Sequence, residues 1–444
     1  MTLSRVLAVG LVIGGVVAGT TGAAALNAPH TLHHARTTQP HISDTRHVRS
    51  HHARSSASAT HTASPAGSGH SSTLHHIATA TASAGVATSR THATVRRASL
   101  HVRHRYYERF TASSFATADE FTGDITAGED PVVRQAAIDA LDGMNGTAVV
   151  IDPSNGRILA MVNQKLALSP GAEPCSTIKL TVAMAALSEG IVTRDTPVQL
   201  PGFRMNMTQA LAKSNNLYFE ELGRELGFDR VRHYATEFGL GELAGFNIAG
   251  EQLGQYPDQP IPVSEGGVAR MCSFGQGVSL TPLQLGAFVA AIANGGTLYY
   301  LQHPTTPDEA SHVVPKVKRT LDIARYVPDL QDGMAGAVEY GTARRLRANF
   351  HELPVFGKTG TCSDSGTRFG WFASYSQTPQ GSLVTVFFLE GGRPTFGPRA
   401  AELTGAFYKN LWDKEYFSPK EAVARSTPPA ESVASAEAGR SASQ

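Results

Sequence analysis

Apolar residues recur at two different periods between residues 130 and 412, and each period predicts a different kind of element. A spacing of three to four residues predicts a helix over 130–141 and an amphipathic helix over 176–190, with Gly190 at its end. A closing helix is predicted over about 398–412. Four further segments in the middle of the chain share this helical spacing: MTQALAKS, NNLYFEELGRELG, DRVRHYATEFG and TPLQLGAFVAAIANGG.

Short runs of β-branched and aromatic residues predict strands towards both ends of the same region. Residues 147–152 and 157–162 are a predicted hairpin, because the Pro-Ser-Asn-Gly segment between them is a turn signal. Three more strands are predicted in VFGKTGT (355–361), RFGWFASYS (368–376) and SLVTVFFLE (382–390). Strands at both ends of a helical middle predict an α/β (α+β) fold, in which distant segments build one sheet and an all-helical lobe is inserted.

The residues before this region differ from it in charge and hydropathy. From Met1 to His104 the chain has nine arginines, no lysine and one acid, about +8, which leaves about −7 for the rest. Residues 1–26 are predicted to be an export signal, since Arg5 precedes an uncharged, mainly apolar run that ends in small residues. The run is also long enough to anchor the chain in the cytoplasmic membrane, so cleavage and anchoring both stay open. Either outcome predicts an exported, periplasmic or extracytoplasmic protein.

Residues 27–105 are rich in Ser, Thr, Ala, His and Arg and show no sustained apolar period, which predicts a disordered linker. Fourteen of the eighteen histidines precede Tyr106, and a metal-binding tract is disfavoured only because no ligand spacing repeats among them. The composition of residues 418–444 likewise predicts a disordered tail. The folded domain is therefore expected over 106–417, which is large enough for two lobes.

Three short motifs that carry reactive groups follow one another in the folded domain. Residues three apart on a helix share a face, so the Lys179 amine can reach the hydroxyl of Ser176. A serine hydroxyl becomes a nucleophile when an adjacent base takes its proton. Burial or a second cation, here Lys358, lowers the pKa of a lysine towards the range where it acts as that base. The motifs are Ser176-Thr177-Ile178-Lys179 at a helix start, Ser214-Asn215-Asn216 between two helices, and Lys358-Thr359-Gly360-Thr361 on a strand.

Each motif alone occurs by chance in many chains, whereas the three in this order and on these elements predict serine acyl transfer. Gly360 has no side chain, and we expect a substrate to lie close against its strand. The folded part shows no nucleotide-binding loop, zinc signature or nucleic-acid motif. The sequence therefore predicts no cofactor, no metal and no nucleic-acid partner.

The motifs and their surroundings resemble the transpeptidase domain of penicillin-binding proteins. The similar segments are QALAKSNNLYFEELGRELG, SFGQGVSLTPLQLGAFVAAIANGG, VEYGTARRL, VFGKTGT and RFGWFASY, and the resemblance covers about 130–412. It implies a β-lactamase/transpeptidase-like fold over 106–417, with an antiparallel sheet flanked by helices. It also implies a serine D,D-transpeptidase that acts on the D-Ala-D-Ala ends of peptidoglycan stem peptides and is inhibited by β-lactams.

The resemblance implies catalytic roles for several of the motif residues. Ser176 is expected to be acylated, with Lys179 as its base. Ser214 is expected to relay a proton to the leaving group, with electrostatic support from Lys358. The backbone N–H groups of Ser176 and Thr361 are expected to form the oxyanion hole.

The remaining motif residues are implied to bind substrate. Asn216 is expected to bind the amide of the substrate, and Thr359 and Thr361 to hold its terminal carboxylate. Lys358 and Gly360 complete this substrate-binding strand.

Two of the three cysteines flank the motifs, with Cys175 directly before Ser176 and Cys362 directly after Thr361. Class A β-lactamases that hydrolyse carbapenems have a disulfide between the same relative positions. The resemblance thus implies a Cys175–Cys362 disulfide in an oxidising compartment. Cys272 is then expected to be a free, buried core residue.

The cysteine pair raises the alternative of a serine β-lactamase. No E-x-x-L-N-like loop lies between Ser214 and Lys358, and Asn216 occupies the position where class D enzymes usually have valine. A deacylating base is therefore not evident, and a long-lived acyl-enzyme favours the transpeptidase. A D,D-carboxypeptidase and a non-enzymatic sensor that binds β-lactams or peptidoglycan stay open as further alternatives.

Overall fold

The structure, a computed structural model, describes residues 111–117, 120–378 and 380–418. The predicted signal or anchor and the predicted linker lie outside the described residues, as does the predicted tail apart from Ser418. Within the described ranges, no helix combines the length and the apolar character needed to cross a bilayer.

The described residues form an α/β structure in which the strands lie at both ends and most helices lie between them. The helices are α1 (Pro131–Leu141), α2 (Gln164–Ala167), α3 (Lys179–Ser188), α4 (Met207–Lys213), α5 (Asn216–Glu237), α6 (Gly267–Phe274), α7 (Pro282–Ala293), α8 (Pro307–Ser311), α9 (Val327–Glu339) and α10 (Gly397–Asp413). The strands are β1 (Gly146–Asp152), β2 (Arg157–Val162), β3 (Val198–Leu200), β4 (Phe203–Met205), β5 (Thr297–Tyr299), β6 (Val317–Thr320), β7 (Val355–Asp364), β8 (Thr367–Thr378) and β9 (Gly381–Gly391).

One antiparallel sheet of five strands is built from segments that are far apart in the chain. Its order is β2-β1-β9-β8-β7, so β7 forms one edge. The predicted hairpin is β1 and β2, and β1 pairs in turn with β9, where Val149 lies opposite Val386. The prediction of a single sheet assembled from both ends of the folded region is confirmed.

Helices cover both faces of this sheet, because the side chains of its strands alternate between two cores. On β1, Val149 and Ile151 lie in one core together with Phe288 of α7. Ala148 and Val150 lie in the other core, which also contains the apolar faces of α1 and α10. The central strands are therefore buried on both sides, and their near-continuous apolar sequences reflect this.

The segment between β2 and β7 contains α2 to α9, as the predicted helical lobe requires, and it also contains two short strand pairs that were not predicted. These pairs are β3 with β4 and β5 with β6. The prediction that residues 176–190 form one amphipathic helix is wrong in two respects. The first turn is a 3₁₀ turn over Cys175–Ile178, and α3 is buried on nearly every side, from Lys179 to Leu187. Gly190 does follow the end of α3, with a positive φ of 66°.

A buried ion network, absent from the sequence predictions, joins the segment before α1 to the edge strand β2. Arg134 of α1 donates to Glu129 at 2.8 Å and to Asp124 at 2.7 Å. The Glu129 carboxylate is fully buried and also accepts from the backbone N–H of Met161 at 2.9 Å. His303 Nε2 lies 3.0 Å from the same carboxylate. One guanidinium thus pairs with two carboxylates that are shielded from water.

Replacing this guanidinium leaves two buried carboxylates without their cation. We expect Arg134→Met to lower the free energy of unfolding of the full chain by about 3–5 kcal/mol, measured by urea denaturation. Arg224→Met is the matched control, because Arg224 pairs with Glu220 and Glu221 at the surface of α5. Arg224→Met is expected to lower the free energy of unfolding by no more than about 1 kcal/mol. Equal losses in the two variants would show that the network does not stabilise the fold.

Candidate active site

Ser176 lies in the 3₁₀ turn that leads into α3, at the edge of the sheet next to β7. The turn is tightened locally, since the hydroxyl of Thr177 donates to the carbonyl of Pro174 at 2.6 Å. Cys175 takes a positive φ of 52°, which few residues other than glycine adopt. Ser176 is half-buried while both of its neighbours in the turn are buried, so Ser176 is the residue of the turn that solvent reaches.

The amine of Lys179 is buried and held at three points. Its Nζ lies 2.6 Å from Ser176 Oγ, 2.8 Å from Asn216 Oδ1 and 2.6 Å from the carbonyl oxygen of Ser273. Burial lowers the pKa of Lys179 to about 7, against the opposing effect of the Glu220 carboxylate. A neutral amine has two N–H bonds and one lone pair. If Asn216 and Ser273 take the two N–H bonds, the lone pair is left for the hydroxyl proton of Ser176.

A second buried amine, that of Lys358, contacts a second serine hydroxyl, that of Ser214. Lys358 Nζ donates to Ser214 Oγ at 2.8 Å and to the carbonyl oxygen of Thr359 at 3.0 Å. Ser214 has a positive φ of 54° between α4 and α5, which turns its side chain out of both helices towards β7. Burial lowers the pKa of Lys358, and repulsion from the Lys179 amine lowers it further. Of the two causes expected to lower the pKa of Lys179, burial does so, whereas the repulsion between the two amines lowers the pKa of Lys358.

Thr359 and Thr361 lie on the edge strand β7, and the hydroxyl of each forms a hydrogen bond with a residue of another segment. Thr359 Oγ1 lies 2.6 Å from Thr342 Oγ1, just after α9. Thr361 Oγ1 accepts from the backbone N–H of Gly397 at 2.9 Å, at the start of α10. Sequence reasoning missed Thr342, Gly397 and the carbonyl of Ser273. Thr342 and Gly397 lie at helix ends, but no local pattern marks them as neighbours of β7.

The prediction that Gly360 leaves room for a substrate against its strand is wrong. A Cβ at this position would lie 2.8 Å from the carbonyl oxygen of Pro174 and 3.1 Å from Thr177 Cγ2. The Cβ direction of Gly360 therefore points at the turn that carries Ser176. Side chains alternate along a strand, so this is also the face of β7 on which Lys358 lies. The absence of a side chain at Gly360 lets β7 pack against that turn.

Further contacts join the Ser176 turn to the sheet. Cys175 and Cys362 form a disulfide with a Cα–Cα distance of 5.6 Å, the pairing that the resemblance implied. The indole N–H of buried Trp371 on β8 donates to the carbonyl of Glu173 at 3.0 Å. Cys272 is free and buried, and burial raises the pKa of its thiol to about 12.

The structure thus brings Ser176, Lys179, Ser214, Asn216 and the strand Lys358–Thr361 together at one edge of the sheet. Two serine hydroxyls each contact a buried amine, an arrangement that can take a proton from one hydroxyl and deliver one through the other. The backbone N–H groups of Ser176 and Thr361 come from the turn and from β7 respectively. Their role as an oxyanion hole stays a prediction.

The cysteine pairing predicts a simple thiol count. Titration of the full chain after denaturation without reductant is expected to detect one thiol, that of Cys272, and three thiols after reduction. Cys272→Ser is the control, for which the expected counts are zero and two. Three thiols in the unreduced wild-type protein would contradict the pairing.

The chain is similar to known penicillin-binding proteins over most of its folded region. The family model described as "Penicillin binding protein transpeptidase domain" matches residues 146–409. Stage V sporulation protein D of Bacillus subtilis is 30% identical over 264 residues, which cover 50% of this chain and 40% of that protein. Peptidoglycan D,D-transpeptidase MrdA of Acinetobacter baumannii is 26% identical over 370 residues, which cover 63% of this chain and 52% of that protein. The chain therefore matches about half the length of these two relatives.

A solved structure has the same fold over most of the described region. That structure, Pseudomonas aeruginosa PBP2 in complex with WCK 5153, superposes with a TM-score of 0.56 at 25% identity, covering 68% of this chain and 78% of that one. The family match spans more than half of the chain. The chain belongs to the penicillin-binding protein transpeptidase domain family.

Proposed function

We propose that this protein is a penicillin-binding serine D,D-transpeptidase, with residues 106–417 as its catalytic domain. The observation that carries the proposal is the contact between the Ser176 hydroxyl and a buried Lys179 amine at 2.6 Å. The low pKa of that amine, about 7, makes it a base at neutral pH. Peptidoglycan stem peptides are the proposed substrates and β-lactams the proposed inhibitors, which places the domain outside the cytoplasm.

Acylation begins at Ser176. Lys179 takes the hydroxyl proton while Oγ attacks the carbonyl carbon of the penultimate D-Ala of a stem peptide. The negative charge that develops on the carbonyl oxygen is stabilised by the backbone N–H groups of Ser176 and Thr361. The Oδ1 of Asn216 is occupied by Lys179, which leaves its amide N–H groups to bind a carbonyl of the substrate.

The leaving group departs on the side of Ser214. The proton that Lys179 took from Ser176 passes through the hydroxyl of Ser214 to the amine of the terminal D-Ala, while the buried Lys358 amine donates a hydrogen bond to Ser214 and supports this relay. Thr359 and Thr361 hold the carboxylate of the departing residue. The amine of a second stem peptide then attacks the acyl carbon. Lys179 takes a proton from that amine and returns it to Ser176 Oγ as the ester bond breaks and the new amide bond forms.

The predicted export signal supports the extracytoplasmic location. Residues 1–26 either anchor the chain in the cytoplasmic membrane or are removed, and residues 27–105 act as a spacer between that end and the domain. Two of the proteins compared above are a peptidoglycan D,D-transpeptidase and a PBP2 in complex with WCK 5153, which supports the proposed reaction.

Covalent labelling tests the nucleophile. We expect the full chain to form a stable adduct with a fluorescent penicillin, whereas Ser176→Ala forms none because the attacking oxygen is gone. Ser311→Ala, which removes an exposed hydroxyl on α8, is the matched control and is expected to label normally. An unlabelled wild-type protein would refute the proposal. Rapid release of the label would instead support the β-lactamase alternative.

The pH dependence of acylation tests the base. Below about pH 7 the Lys179 amine is protonated and has no lone pair, so we expect the second-order rate constant to fall about tenfold per pH unit towards pH 5. Above pH 7 the rate constant is expected to level off. Lys179→Arg places a permanently protonated side chain without a free lone pair at this position, and is expected to be inactive from pH 5 to 9.

Lys409→Arg, at the surface of α10, is the control for the exchange of a lysine for an arginine. It is expected to reproduce the wild-type pH profile. A wild-type rate constant that does not change between pH 5 and 8 would contradict the assignment of Lys179 as the base.

A further inference from the structure

Thr342 contacts the proposed carboxylate-binding strand, although the proposed mechanism gives it no role. It is half-buried, lies just after the end of α9, and its Oγ1 is 2.6 Å from that of Thr359 on β7. Thr359 is buried, and in the part of the chain that the structure describes its hydroxyl makes no other hydrogen bond. The direction in which the Thr359 hydroxyl points therefore depends on Thr342.

The backbone around Thr342 holds this contact in place. The N–H of Thr342 donates to the carbonyl of Ala212 at 3.1 Å, near the end of α4 and two residues before Ser214. A Cβ at Gly341 would collide with the same carbonyl oxygen, so the glycine permits this close approach. Thr342 thus links two parts of the site, because its backbone is bonded to the helix that leads into Ser214 and its side chain to β7.

The contact between the two hydroxyls has a direction that matters for binding. A hydroxyl has one hydrogen to donate, and a carboxylate can only accept. If the O–H of Thr359 pointed at Thr342, it would not be available to the carboxylate of a substrate. If Thr342 donates instead, the O–H of Thr359 is free. Thr361 has this second arrangement, since its Oγ1 accepts at 2.9 Å from the N–H of Gly397, a group that can only donate.

We propose that Thr342 is a positioning residue, which donates to Thr359 and so directs the Thr359 O–H towards the carboxylate of the leaving group. This proposal rests on the proposed function, in which that carboxylate binds at Thr359 and Thr361. Both threonines then accept a hydrogen bond from another segment of the protein and donate one to the substrate. Hydrogen bonds in such a chain strengthen one another. Thr342 thus favours leaving groups that carry a carboxylate, and it acts through Thr359.

A double-mutant cycle with benzylpenicillin tests whether Thr342 acts through Thr359. In a penicillin one carbon separates the leaving nitrogen from the carboxylate, as in D-Ala, so we expect the same contacts with both. The second-order rate constant for acylation of the full chain is measured by intact-protein mass spectrometry. The proteins compared are wild type, Thr342→Val, Thr359→Val and the double variant. High penicillin concentrations and long reaction times keep the slow variants measurable.

Thr342→Val keeps the shape of the side chain and removes its hydroxyl, so we expect it to lower the rate constant about three- to tenfold. Thr342→Ser retains a hydroxyl and is expected to stay within about twofold of wild type. In the Thr359→Val background, Thr342→Val is expected to change the rate constant by no more than about twofold, because the hydroxyl that Thr342 directs is gone. A purely structural role would give the same factor in both backgrounds.

Thr385→Val is the matched control, because it breaks a hydroxyl pair of the same kind, that with Ser374 at 2.7 Å between β8 and β9. It is expected to react at the wild-type rate, and thermal melting checks that each variant is folded.

The outcomes separate this proposal from the proposed function. The role of Thr342 alone is overturned by an unchanged rate constant in Thr342→Val, by a Thr342→Ser variant that is equally slow, or by an equal loss in both backgrounds. A wild-type protein that benzylpenicillin does not acylate overturns the proposed function and with it the role of Thr342.

Discussion

The burial of the Lys179 amine is the constraint on which the rest of the site depends. A charged ammonium is costly to remove from water, so burial favours the neutral amine that can accept a proton. The neutral amine still needs acceptors for its N–H bonds, and these come from Asn216 at the start of α5 and from Ser273 in α6. Three helices must therefore meet at one atom. This explains why α3 is buried on nearly all sides, although most helices of globular proteins expose one face.

The second requirement is that the turn with Ser176 stays fixed against the edge strand, since Lys358 and Thr361 reach the same site from a distant part of the chain. Several independent contacts meet this requirement. The Cys175–Cys362 disulfide links positions 187 residues apart, and Gly360 lets β7 approach the turn. Together these contacts fix the turn that carries Ser176 against β7.

The parts of the structure that the sequence predicted are those set by local spacing. The Ser176–Lys179 separation, the hairpin of β1 and β2 and the three carboxyl-terminal strands follow from periods that a short window reveals. The contacts it did not predict are long-range and often involve backbone atoms, such as the Ser273 carbonyl. The role of Gly360 could not be inferred either, since the direction of a missing side chain depends on which face of β7 meets the turn. The prediction that α3 is amphipathic was wrong for a related reason. Its small and apolar residues do not show how many other elements of the fold pack against the helix.

The central claim is that Lys179 is neutral near pH 7, and its protonation can be observed directly. In protein labelled with [¹⁵Nζ]-lysine, the ¹⁵N chemical shift of each amine follows its own charge, and Lys179→Met and Lys358→Met assign the two buried amines. We expect the Lys179 signal to titrate with a midpoint near pH 7. A Lys179 amine that stays protonated up to about pH 10, like an exposed lysine, would contradict it.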